Sequence, residues 1–218
     1  MSSSDGFTAI ERHSRFTDGF ILAGGMSRRM GENKAGLYLA GKTFLERAAD
    51  VLGSVSRSVR IVGDIRGVHS DLEVVPDILG EQKGQGAIAG LISALHYAEG
   101  EWAAILACDL PFVTAELFFR LVEIAKADPA AACVVPVQSD GRIQPLCGLY
   151  RKSEVCAAIL EQYRSGERRL YDAIRQLKTR YVGFEELEDL PGSSNFFFNV
   201  NTRLEFEKAL ELVNLPSL

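Results

Sequence analysis

The sequence predicts an α/β protein, a three-layer α/β/α sandwich on a mostly parallel sheet. Three observations carry that reading. Apolar runs of strand length recur along the chain, and several are apolar throughout rather than alternating, as strands covered on both faces are. Segments with helical apolar periodicity lie between these runs. The first run empties into a glycine-rich, basic turn, which is what an anion site at the end of a buried strand needs.

Taken in order, the first strand is Phe20–Ala23. Residues 1–17 are polar, lack the apolar core of a signal peptide and read as a disordered leader, leaving 18–218 as a single domain. Thr43 is placed to cap a helix over Phe44–Leu52, with Phe44, Leu45, Ala48, Ala49 and Leu52 on one side. Strands follow at Ser58–Val62 and Leu72–Val75, then a helix over 87–98 and a strand at Trp102–Ala107. Thr114 is placed to cap Ala115–Ala127, and Glu116 in its first turn suits the helix dipole. Strands at Ala131–Pro136 and Leu146–Tyr150 and helices over 152–164 and 202–213 complete the alternation. The segment 145–199 fits it less well. An arginine-rich run (Arg164, Arg168, Arg169, Arg175) precedes an acidic stretch from Glu185 to Asp189, and the reading there is mixed sheet and a lobe over the strand ends.

Composition narrows the function classes. An apolar fraction of 47% and mean hydropathy of +0.04 over 218 residues are those of a globular chain with a sizeable core. No apolar run approaches the ~20 residues that span a bilayer, and the expectation is a cytoplasmic protein with no membrane contact. A net charge of −5 argues against a nucleic-acid-binding surface. It leaves room for a small anionic ligand, because residues 24–43 carry four Lys or Arg and one acid. The four cysteines (Cys108, Cys133, Cys147, Cys156) form no Cys-x-x-Cys pair and read as buried free thiols.

Four constellations carry chemistry. In Gly24–Lys34, backbone N–H groups of a glycine-rich turn and the cations Arg28, Arg29 and Lys34 suit a nucleotide triphosphate. Just downstream, Gly36 to Thr43 matches the P-loop pattern letter for letter, but no apolar strand precedes it and its interior is Leu-Tyr-Leu-Ala. A short hairpin turning at Gly41-Lys42 is the better structure. Asp77, after Pro76 at a strand end, is placed to accept from a base or ribose, with a plain turn residue as the alternative. Asp109, in Cys108-Asp109-Leu110-Pro111, is a lone carboxylate at the end of a buried strand. It needs a partner, and Mg²⁺ shared with phosphate oxygens suits it. Last, Asn199 and Asn201 project to the same side of an extended segment, and with Gln144 and the arginines at 168 and 169 they suit a polar, phosphate-bearing acceptor.

These residues resemble a known family. Leu-Ala-Gly-Gly-x-Ser-x-Arg-Met-Gly-x-x-Lys at 22–34 is close to the signature of the nucleotidyltransferases. With Asp77, Gly86-Ala-Ile-Ala-Gly90, Cys108-Asp-Leu-Pro, Gln144-Pro145, Gly166-Glu-Arg-Arg169 and Phe198-Asn-Val-Asn-Thr202, the chain looks like the molybdenum cofactor guanylyltransferases, MobA-like enzymes, over roughly residues 18–213. The resemblance implies the Rossmann-like fold of nucleotide-diphospho-sugar transferases. It also implies transfer of GMP from Mg-GTP to molybdenum-bound molybdopterin, with molybdopterin-handling proteins and apo-molybdoenzymes as transient contacts. Carried over by position, Leu22, Ala23, Gly24 and Gly25 meet the nucleotide, Lys34 the phosphates, Asp77 the guanosine and Asp109 the Mg²⁺. Gln144, Arg169, Asn199 and Asn201 lie toward the pterin. Gly25 bears on the base, since related cytidylyl enzymes carry Ala-Ala-Gly there. Gly63 stands where the family often has a nucleotide-touching asparagine, and Ala87 replaces a usual proline.

The implied reaction is in-line attack by the acceptor phosphate on the α-phosphorus of GTP. A phosphate monoester has a second pKa of about 6, so no side chain must deprotonate it. That suits a chain with three histidines, none of them in these loops. Like unit charges about 4 Å apart repel by ~4 kcal/mol at an effective dielectric near 20, and Lys34, Arg28 and Mg²⁺ on Asp109 are the groups assigned to offset it. Rival readings are CTP-dependent or sugar-phosphate nucleotidyl transfer, a P-loop enzyme working through Lys42, and a molybdopterin carrier that releases no pyrophosphate.

Overall fold

The computed structural model describes residues 16–23, 33–79 and 86–214. Its main sheet has seven strands in the order β5-β4-β1-β6-β8-β7-β9. These are β1 (Thr17–Ala23), β4 (Ser56–Gly63), β5 (Glu73–Val75), β6 (Trp102–Ala107), β7 (Cys133–Pro136), β8 (Cys147–Arg151) and β9 (Thr179–Val182). All neighbours are parallel except β8, which runs antiparallel between β6 and β7.

Side chains along the strands alternate between two cores. Ile21, Ala104, Leu106, Val134 and Leu149 face one layer, built by α1 (Phe44–Gly53) and α3 (Ala115–Ala127). Phe20, Ala103, Ile105, Cys133 and Tyr150 face the other, built by α2 (Gly86–Tyr97), α4 (Lys152–Arg164) and α5 (Leu170–Arg175). This is the expected three-layer α/β/α sandwich. A smaller apolar cluster joins α6 (Arg203–Asn214) to the hairpin of β2 (Tyr38–Leu39) and β3 (Lys42–Thr43) through Leu37, Leu39, Phe44, Val200 and Ala209.

Several expectations need correction. β1 begins at Thr17, within the span read as leader, and Phe16 stacks on Trp102. Thr17 and Asp18 are buried although polar, because both are hydrogen-bonded: the Thr17 hydroxyl to Val55 and Ser56, the Asp18 carboxylate as described below. The hairpin turns at Ala40-Gly41 rather than Gly41-Lys42. Both turn residues have positive φ, +50° and +82°, the pairing a two-residue primed turn demands. Thr43 caps α1 through a full capping box with Glu46, but Thr114 closes no such bond and its Oγ1 is buried without a partner among the described residues. β9 and α5 were not expected. The three cysteines at 108, 133 and 147 are buried free thiols and Cys156 is half-buried.

Candidate functional site

Parallel topology brings the C-terminal ends of β5, β4, β1 and β6 to one edge of the sheet, in that order, where open α/β sheets hold their ligands. The predicted residues of these strands fall along that edge. Leu22 and Ala23 close β1, and the Leu22 carbonyl accepts the Cys108 N–H. Asp109 follows β6 at once. Gly63 ends β4 in register with Ala23 at φ +115°, a conformation that disfavours any side chain there.

Asp109 is the electrostatic centre. Its side chain is 21% exposed, its Oδ1 is buried with no hydrogen-bond partner among the described residues, and its Oδ2 lies 3.7 Å from the Lys34 ammonium. Desolvation by burial pushes its pKa up, and Lys34 opposes the rise without cancelling it. A carboxylate oxygen buried without a partner is costly to the fold. The neighbouring Cys108 thiol is pushed up to about 12 by burial and then by Asp109, so it stays protonated and is no nucleophile.

Lys34 reaches Asp109 because its own backbone is fixed. Asn33 caps the short 3₁₀ turn Lys34–Gly36 by accepting the Ala35 N–H, while its amide donates to Asp64 O at 3.1 Å. From the other side the Lys34 ammonium donates to Asn201 Oδ1. The Asn201 amide in turn donates to Asn199 Oδ1, and Asn199 stands close enough to Asp109 to favour its charged form. The Val200 N–H donates to Asp109 O at 2.9 Å, tying the asparagine segment to the carboxylate's own backbone. Arg47 of α1 braces the arrangement, donating to the carbonyls of Pro111 and Leu39. Lys34, Asp109, Asn199 and Asn201 thus form one cluster from three distant parts of the chain.

The remaining predicted residues stand around it. Asp77 follows β5, and one of its oxygens accepts from the Leu79 N–H and the Ser93 hydroxyl, a turn role. Gln144 is held between β7 and β8 by backbone bonds to Pro136 and Cys147. Arg168 and Arg169 differ. The Arg168 guanidinium stacks over Tyr163 at 4.0 Å and donates to the Tyr163 and Glu167 carbonyls, so it locks the turn after α4. Arg169 is exposed at the start of α5, and the loop carrying both approaches α2, with the Arg168 carbonyl near Gly86. Gly24, Gly25 and Arg28 lie outside the described residues. Lys42 is not a phosphate ligand of a P-loop: it sits on a hairpin and pairs with Asp50 at the surface. Sequence reasoning missed Asn33 and Arg47, whose partners are backbone groups that no motif displays.

A cleft of about 570 Å³ opens elsewhere, past the ends of β7 and β9. Its Arg180 is neutralised by Glu186, and Glu185 and Glu188 give it an acidic lining unsuited to phosphates. Among the described residues, no group of three or more His, Cys, Asp or Glu is placed to hold a metal, and no helix is long and apolar enough to cross a membrane.

Comparison with known proteins agrees with this fold. The MobA-like NTP transferase domain family matches residues 19–180. A probable molybdenum cofactor guanylyltransferase of Bacillus cereus is 35% identical, covering 88% of this chain and 94% of its own. Among solved structures, the molybdopterin-guanine dinucleotide biosynthesis protein A of Archaeoglobus fulgidus superposes with a TM-score of 0.74 at 24% identity, covering 90% of this chain and 98% of that one. The 2-C-methyl-D-erythritol 4-phosphate cytidylyltransferase of Thermus thermophilus shares the fold at a TM-score of 0.63 and 16% identity, covering 90% and 98%.

Proposed function

The chain belongs to the MobA-like NTP transferase family, and from that premise we propose that it transfers GMP from GTP to molybdenum-bound molybdopterin, releasing pyrophosphate. The observation that carries the reading is the Lys34 ammonium held between Asn201 and Asp109 at the mouth of the sheet. Whole-length relatives named for guanylyl transfer support GTP and molybdopterin as the substrate pair.

An oxygen of the acceptor phosphate forms the new bond to the α-phosphorus as the bond to the pyrophosphate oxygen breaks. The attacking monoester is already a dianion, so no proton moves in this step. The protein's work is to hold two anions in line and spread their charge. Lys34 is aimed for this by Asn33 and Asn201, and Arg28 adds a second cation. Leu22, Ala23, Gly24 and Gly25 are assigned to the nucleotide and Asp77 to its guanosine. Gln144, Arg169 and Asn199 are assigned to the acceptor side, as is Asn201 with its amide oxygen on Lys34. Asp109 fits Mg²⁺: a buried orphan carboxylate oxygen matches an ion that takes one or two carboxylates with substrate oxygens. When bound, Mg²⁺ supplies charge neutralisation at the phosphates. The setting is cytoplasmic, with transient contact to molybdopterin-handling proteins and apo-molybdoenzymes.

Pyrophosphate release with molybdenum-bound molybdopterin as acceptor tests this. GTP is expected to support acceptor-dependent release, with CTP slower. Faster release from CTP would move the chain to the cytidylyl enzymes, and pterin binding without release would make it a carrier.

A further inference from the structure

The motif Thr-x-x-Glu occurs twice at a helix start, and the two copies do different things. At α1, Glu46 Oε2 accepts, among the described residues, only from Thr43, from its N–H at 2.6 Å and its hydroxyl at 2.9 Å. That is an ordinary capping box. At α6, Glu205 Oε2 takes the Thr202 N–H at 2.8 Å and hydroxyl at 3.0 Å, and reaches one residue further to the Asn201 N–H at 2.7 Å. A capping box needs no bond to Asn201. The extra bond fixes the backbone of the residue whose side-chain oxygen holds Lys34. Burial works against the Glu205 charge, but the three donors and the Lys34 ammonium hold its pKa below 4.5, so it is an anion at neutral pH.

We propose that Glu205 is a positioning residue for nucleotidyl transfer: through the Asn201 backbone it sets the amide that aims Lys34 at the phosphates. This rests on the nucleotidyl-transfer reading, and it concerns a residue that touches neither substrate. The link is geometric. One carboxylate oxygen fixes two successive N–H groups, the second asparagine of the pair faces Lys34, and its amide hands the constraint on to Asn199.

The test sets Glu205→Ala and Glu205→Gln beside Glu46→Ala, which loses a cap without the extra bond. Thermal melting, steady-state kinetics with GTP and hydrogen exchange of the Asn201 amide are read on each full-length protein. Both alanine variants should melt lower by similar amounts. Only Glu205→Ala should lower kcat, by about tenfold or more, with KM for GTP changed less than kcat, and only it should speed exchange at Asn201. Glu205→Gln keeps an acceptor oxygen and should recover most of kcat. Equal kcat in Glu205→Ala and Glu46→Ala, or unchanged Asn201 exchange in Glu205→Ala, would reduce Glu205 to a helix cap. Absence of pyrophosphate release from the wild type would instead overturn the functional reading, while the exchange measurement would still judge the link.

Discussion

The sheet carries an aspartate with a buried carboxylate oxygen at each end, Asp18 wholly buried and Asp109 partly exposed, and they live by opposite rules. Asp18, at the N-terminal foot of β1, is 1% exposed and fully bonded. It accepts two bonds from Arg57, the N–H groups of Glu99 and Gly100, and the Ser58 hydroxyl. Burial alone would raise its pKa, but the Arg57 guanidinium and these N–H groups outweigh it and hold the carboxyl below 3.8. Asp109, at the C-terminal mouth, has an orphan oxygen and a cation 3.7 Å away, and its pKa is raised. The difference teaches where the chain spends stability. A carboxylate with every lone pair answered belongs to the fold. On the proposed reading, one left unanswered at the strand ends is held for something that is not protein.

The largest effect that tests this contrast is at the mouth. Lys34→Ala removes the cation shared by Asp109 and Asn201 and should lower kcat/KM by roughly 10²–10³, the scale of losing one electrostatic contact in a transition state. Steady-state pyrophosphate release checks it, and a small loss would mean that Lys34 serves only to neutralise Asp109. At the foot, Asp18→Ala leaves Arg57 and two N–H groups unanswered. It should cost about 3 kcal/mol in urea unfolding while the folded protein keeps its turnover.

The pH dependence is smaller and differs in sign. Below 3.8 the unfolded chain protonates at Asp18 before the folded one does. The Asp18 contribution is therefore complete above 3.8 and fades as pH falls through the lower folded value. At Asp109 the folded state binds the proton first, so its contribution is complete below 3.8 and fades as pH rises through the higher folded value. Urea unfolding of Asp18→Asn and Asp109→Asn from neutral pH to below 3.8 should show the Asp18 deficit closing with acid. Any advantage of Asp109→Asn should vanish there too. The smallest effect is Lys42→Ala, which removes an exposed pair with Asp50. It should change stability by no more than about 0.5 kcal/mol and leave turnover intact, whereas a P-loop would lose activity.

The two ends were also unequally legible in the sequence. Asp109 could be read because the apolar run Trp102–Ala107 ends on it and proline follows two places on, so a single stretch displays both burial and exposure to a ligand. Asp18 could not. Its partners lie about forty and eighty positions away, and without them Thr17 looks like the end of a polar leader and Asp18 falls outside the first strand, read as Phe20–Ala23. The apolar run Phe20–Ala23 of β1, the all-apolar β6 and the amphipathic helices declared themselves through their apolar pattern. β9 did not, since Thr179-Arg-Tyr-Val is short and only Val182 is buried. At the site, the residue types were visible but not their grouping. The Lys34–Asn201 bond spans 167 positions, and only packing decides that the Arg168 guanidinium, itself exposed, folds back over Tyr163.

The contrast between foot and mouth is tested most directly by measuring urea stability and turnover together for Asp18→Asn and Asp109→Asn at neutral pH. The account predicts that Asp18→Asn loses stability and keeps turnover, while Asp109→Asn keeps or gains stability and loses turnover. Stability shifts of the same sign in both variants, with turnover surviving at Asp109→Asn, would contradict it.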